Sequence, residues 1–198
     1  MINYFKMSTS IATSENKSTI PPVKFALWAG FASIIMMFVS LTSAYVVRQS
    51  AGNWLEFKLP SVFLYSSFSI LLSSITLHMS YSNFKKGNEK SYKLFLIATM
   101  ALAMMFIMFQ YQGWIAMQNI GIDLAGNPSG SFVYVISGLH AAHVLGGIGI
   151  LTVALVQAYG QKYQVTSKRL LRFQLTSQYW HFVDILWIYL FIFFLIQR

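Results

Sequence analysis

Polar residues along this chain fall in short clusters, and between the clusters lie stretches with almost no charge. Five of these stretches are about 20 residues or longer, enough for a helix to cross ~30 Å of hydrocarbon. The pattern predicts helical spans over about 23–48, 60–83, 91–114, 131–159 and 175–197. Pro60 opens the second. The expected fold class is all-α: a polytopic membrane bundle of five transmembrane helices forming one domain over 23–198. Residues 1–22 are rich in Ser and Thr and lack an apolar core, so they read as a mobile polar tail. A cleaved signal peptide of the usual form is not expected there, and Pro21 and Pro22 stop the tail at the first span. No internal repeat is visible.

The basic residues orient the spans. Lys6, Lys17 and Lys24 precede the first span. Lys85, Lys86, Lys90 and Lys93 lie around the second connection, and Lys162, Lys168, Arg169 and Arg172 around the fourth. All of these fall on one side if the chain crosses five times. Arg48, Lys58 and Arg198 fall on the other. The positive-inside rule then puts the N-terminus in the cytoplasm and the C-terminus outside. The third connection, "IAMQNIGIDLAGNPSGS", carries no Lys or Arg, and its Gly126-Asn127-Pro128-Ser129-Gly130 cluster signals a turn.

Composition agrees with the pattern: 56% of the 198 residues are hydrophobic, 10% are charged, and mean hydropathy is +0.57. The net charge of +9 sits in the connections, where it sets topology and meets anionic lipid, so nucleic acid is not an expected partner. With no cysteine, disulfides and thiolate ligands are excluded. The aromatic residues, 17% of the chain, are expected to face lipid and the interfaces rather than to box a cofactor.

Ionisable groups inside a membrane are costly and mark function by default. The candidates are His78, near the basic end of the second span; His140 and His143, three apart on the fourth; and His181 and Asp184, three apart on the fifth. Residues three apart share a helical face. Gly138, Ala142 and Gly146 form a small-residue stripe on another face of the fourth span. That stripe predicts a helix packed against it, with a second neighbour against the imidazoles. Asp184 and the His140/His143 pair fall at middle depths, which allows a contact between them.

Three uses of these residues compete. A b-type haem needs histidines facing each other across helices, usually in more than one pair, whereas two of the four here share one helix. A catalytic metal held by His140, His143 and Asp184 would match three protein ligands plus water. The third use is structural: the polar side chains hydrogen-bond helices together or hold a lipid headgroup. A proton wire of the chain's own would need several acids in series, and Asp184 is the only acid within a span.

The stretch "SQYWHFVDILWIYLF" (177–191) closely resembles the last-helix signature of subunit III of the haem-copper respiratory oxidases. "FVYVISGLHAAHVLGG" (132–147) is similar to that family's Gly-x-His-x-x-His-Val segment, and "FQYQGW" (109–114) and "SLTSAYVVRQ" (40–49) also fit. The resemblance covers about 24–197 in order. Five spans look like the short bacterial form, which lacks the two N-terminal helices of the seven-span form.

The resemblance implies a non-catalytic subunit of a proton-pumping cytochrome c oxidase in a bacterial inner membrane. Such a subunit carries no redox cofactor or metal of its own; haem and copper belong to partner subunits. It packs on subunit I within a complex that also holds subunit II. It binds phospholipid between its helices, supports proton uptake and protects the enzyme during turnover. Trp180, Trp187 and the five ionisable residues then become structural, lipid-facing or interface residues. One departure is that the family's intramembrane glutamate follows Ala-Ser, and here Ile34 follows Ala32-Ser33, so a proton role for that carboxylate does not carry over. A quinol oxidase subunit III and a nitric oxide reductase accessory protein remain alternatives within the family. A small proton-coupled transporter is a more distant alternative, and the internal repeats such folds often show are not evident.

Overall fold

A computed structural model describes residues 22–197, so the expected tail lies outside the described residues except for its last position. Five helices follow one another: α1 (Pro22–Ser50), α2 (Val62–Lys86), α3 (Glu89–Asn119), α4 (Pro128–Gly160) and α5 (Ser167–Ile196). All five are long and apolar enough to cross a membrane, and no strand occurs among the described residues. Each helix satisfies its own backbone polar groups, which hydrocarbon cannot do.

The helices overrun most of the span limits read from hydropathy. α3 continues to Asn119 and α5 begins at Ser167. Hydropathy marks only the apolar part of a helix, whereas capping groups mark its ends. Asn88 accepts from the Ser91 amide, Asn127 from the Ser129 amide at 3.0 Å, and Thr166 from the Arg169 amide. Pro128 occupies the first turn of α4, where its missing N–H costs nothing. Between α2 and α3 only Gly87 and Asn88 intervene. Gly87 takes φ +82°, and the Asn88 amide reaches back to the Asn83 carbonyl, a Schellman ending that reverses the chain in two residues.

α2 is the central polar strut. Its Ser69 and Ser80 hydroxyls donate to the α3 carbonyls of Leu102 and Tyr92, at 2.8 and 2.9 Å, and Thr76 meets Thr99 at 2.9 Å. Small hydroxylated residues let the two backbones approach closely, as membrane helix pairs require. α1 is held more lightly, by α4 and α5 alone. Phe31 stacks on Phe182 with centroids 4.2 Å apart, Thr42 meets the Tyr189 hydroxyl at 3.0 Å, and Tyr45 donates to the Gln197 carbonyl.

Two sequence expectations are corrected here. The Gly138–Ala142–Gly146 stripe receives no close-packed helix: Ala142 and Gly146 are exposed, a Cβ on Gly138 would meet nothing within 4 Å, and one on Gly146 would meet the Tyr179 hydroxyl of α5 at 3.6 Å. The inward face of α4 is set instead by Val133, Ile136, His140, Val144, Gly147 and Leu151, about 3.5 residues apart. Close approach occurs at Gly147, where a Cβ would stand 2.9 Å from the Trp180 ring. The second correction concerns the aromatic residues. Trp180, Trp187, Phe38, Phe63 and Phe106 are buried in the core, although Phe25, Trp28 and Tyr111 are exposed as expected. An aromatic ring turns inward where a small residue opposite makes room, as Gly113 does for Phe63.

Candidate functional site

Three groups of side chains carry what polarity the bundle holds. The first is the seam between α2 and α5. Trp180 and Trp187 are fully buried there, and their indole N–H groups donate to Ser73 at 2.7 Å and to Ser67 at 2.9 Å. This satisfies the one polar atom of each ring in a place without water. One helical face beside these tryptophans lies His181, half-buried, with Nδ1 hydrogen-bonded to the Ser74 hydroxyl. Its ring lies 6.5 Å from that of His78, which is exposed on α2. Asp184 is 3% exposed. The Ser74 hydroxyl faces its carboxyl but is engaged by His181, and neither Asp184 oxygen has a hydrogen-bond partner.

The second group surrounds His140. This ring is completely buried, and both of its nitrogens lack partners. Its neighbours are Phe38, Phe106 and Trp187, with centroids at 6.3, 5.9 and 5.1 Å. His143 shares Phe38 at 5.7 Å and turns Nδ1 back to its own helix, onto the Leu139 carbonyl at 2.7 Å. Tyr179 donates to the His143 carbonyl.

The third group is a cleft of about 240 Å³ at the end of the bundle where α4 finishes and α5 begins. Its lining is mostly apolar residues of α4 and α5 with Phe84 of α2 and Tyr92 of α3, and it includes Arg169, Arg172, Tyr163 and Gln161. Arg169 donates to the Lys162 carbonyl at 2.7 Å and to the Gln161 side chain at 2.5 Å. Tyr163 donates to the Phe84 carbonyl at 2.7 Å, and burial together with the nearby Glu89 carboxylate pushes its phenol up, so it remains a donor.

The pairings expected from spacing hold within each helix. His181 and Asp184 face α2 together, and His140 and His143 share Phe38. The cross-helix contact between Asp184 and the α4 histidines is not made: His140 has no hydrogen-bond partner and His143 bonds its own backbone. Among the described residues no three His, Asp or Glu side chains gather to hold a metal, so the His140–His143–Asp184 ligand set does not form. The one cross-helix imidazole pair, His78 and His181, is tilted by 48° with one ring tied to Ser74, which is no slot for a planar macrocycle.

Sequence reading missed the hydroxyl partners. The signal was present as Ser66, Ser67, Ser69, Ser73, Ser74, Thr76 and Ser80 in a single span, a density that polar satisfaction within a membrane explains. It also assigned no residue to this cleft, because Arg169 and Arg172 served there only as topology markers.

The profile of the family described as cytochrome c oxidase subunit III matches residues 24–197. A cytochrome c oxidase subunit 3 of Allomyces macrogynus is 32% identical over 166 residues, which are 83% of this chain and 57% of that protein. A probable cytochrome c oxidase subunit 3 of Nocardia farcinica is 27% identical, covering 90% of this chain and 88% of the relative. A probable quinol oxidase subunit 3 of Staphylococcus saprophyticus is 26% identical, over 85% of each. The chain thus spans little more than half of the fungal protein and nearly all of the bacterial ones. With a profile match across all five helices and a polar interior of hydroxyls, imidazoles and one carboxyl, the chain belongs to the cytochrome c oxidase subunit III family.

Proposed function

We propose that this chain is the non-catalytic subunit III of a proton-pumping haem-copper terminal oxidase in a bacterial inner membrane. It packs on subunit I, beside subunit II, and keeps the enzyme intact during turnover. The observation that carries this reading is the family match over residues 24–197, the whole five-helix bundle. The basic residues favour a cytoplasmic N-terminus and an outer C-terminus. The Arg169–Arg172 cleft, with its mostly apolar lining and two arginines, suits a phospholipid whose acyl chain lies along α4 and α5 while its phosphate meets the guanidinium groups. At that end of the bundle the chain also supports proton uptake by its partner. Ile34 takes no part in that role, since it carries no proton.

In the α2–α5 seam, His181, Trp180 and Trp187 hold the two helices together, and Asp184 is packed beside them. His140 and His143 fasten α1 to α4 through Phe38. Cytochrome c is the electron donor in this reading. The staphylococcal relative, matched over 85% of both chains, favours a quinol-oxidising complex as the second reading.

Deleting this chain from its organism tests the role. The expected result is an oxidase that begins with near-normal O2 uptake and then loses activity progressively during turnover. An enzyme equally durable without the chain would contradict the proposal.

A further inference from the structure

The unsatisfied carboxyl of Asp184 has a use beyond packing. Its oxygens are buried without a hydrogen-bond partner, and among the described residues the Lys93–Glu89 pair, both on α3, is the ion pair the helices form. An isolated carboxylate at that depth is too costly to persist, so the cluster must carry a compensating proton. The groups able to carry it are few. From α2 come the Ser74 hydroxyl and His78; from α5 itself comes His181. On α4, His140 faces Phe38, Phe106 and Trp187, and His143 is tied to Leu139. On α1, Tyr45 is tied to Gln197 at the opposite end of the bundle.

We infer that Ser74, His181 and Asp184 form a proton-binding site between α2 and α5, with exposed His78 as its mouth. The carboxyl carries the proton and the imidazole stays neutral, so the pair is neutral overall. A serine hydroxyl has one proton and two lone pairs, so Ser74 can accept from one partner and donate to the other. Uptake adds one proton to a carboxylate oxygen and moves no electrons. The proton leaves through Ser74 and His181 to His78 only as another arrives, so the site exchanges its proton and the buried carboxylate does not stand ionised. His78 lies eight residues before the end of α2, on the side where the Lys85–Lys86 pair emerges. The ligand is a proton, and the site belongs to this chain whether or not the subunit III reading holds.

Infrared spectroscopy of the tagged chain, in whatever assembly it purifies, tests the assignment through the carbonyl stretch of a buried protonated carboxylic acid. Asp184→Asn should remove that band. Ser74→Ala should move it to higher wavenumber as the facing hydroxyl is removed, and this readout remains if the Asn variant assembles poorly. His78→Phe should slow its exchange in D2O. A band unaltered by Asp184→Asn, or unmoved by Ser74→Ala, overturns the site, and unchanged exchange in His78→Phe overturns the mouth. A chain that purifies without haem would count against the subunit III reading alone, because the band is read equally well from the isolated protein.

Discussion

The two buried polar centres of this bundle solve one problem in opposite ways. His140 and His181 each stand three residues from a second ionisable residue, and each lies within an apolar span. His140 is clad in three aromatic rings and gives up its hydrogen bonds altogether. His181 and Asp184 face a helix supplied with hydroxyls, and the nearest is engaged. The difference is set by the facing helices and not by the histidines. A clad polar group contributes shape and can be replaced by an apolar one, whereas a group met by hydroxyls contributes an interaction that its partner loses on substitution.

Substitutions at the two centres test that contrast. The largest effect is expected from Trp187→Ala, because the indole touches His140, Phe63 and Phe106 and also donates to Ser67, tying the two centres together. Emptying a fully buried aromatic site costs about 3–5 kcal/mol. Thermal unfolding of the detergent-solubilised protein should show the loss, with little of the subunit recovered in its complex.

Gly147→Val comes next. It drives a side chain into the Trp180 ring and should cost about 1–3 kcal/mol by overpacking. Gly138→Ala, on the exposed stripe, should leave the melting temperature of the isolated chain unchanged. Equal effects at the two glycines would contradict the assignment of the α4 faces.

Asp184→Ala should follow, at about 1 kcal/mol, the usual scale of a single substitution. It weakens recovery of this subunit more than it alters the intrinsic rate of oxygen reduction. Normal recovery in the purified mutant complex would sink that expectation. The smallest effect is expected for His140→Phe: neutral or slightly stabilising, because an unsatisfied imidazole gives way to a ring suited to its aromatic surroundings. A strongly destabilised His140→Phe protein would show that the nest has a polar role.

Much of this was legible from residue order because membrane spans are dictated by hydropathy. The same holds for the pairing of His181 with Asp184 and of His140 with His143 on common faces, which helical periodicity fixes. The helix ends were less legible, since Asn88, Asn127 and Thr166 cap beyond the apolar stretch. The small-residue stripe misled because Gly138 and Gly146 sit on the outward face while Gly147, one residue further, lies against Trp180. Nothing within α4 itself distinguishes those faces; the bulk of Trp180 on α5 does. Likewise the reach from Asp184 to His140 depended on rotations about two helix axes, which depth alone does not give. The hydroxyl ladder of α2 was visible as composition and became a partner list only once α3 and α5 were placed around it.

The most direct test is to tag this chain, purify it from native membranes in mild detergent and record a reduced-minus-oxidised visible spectrum together with O2 uptake. Haem bands and oxidase activity are expected to travel with larger subunits, and supplying cytochrome c or quinol then identifies the donor. A colourless, stable protein purifying alone would contradict it.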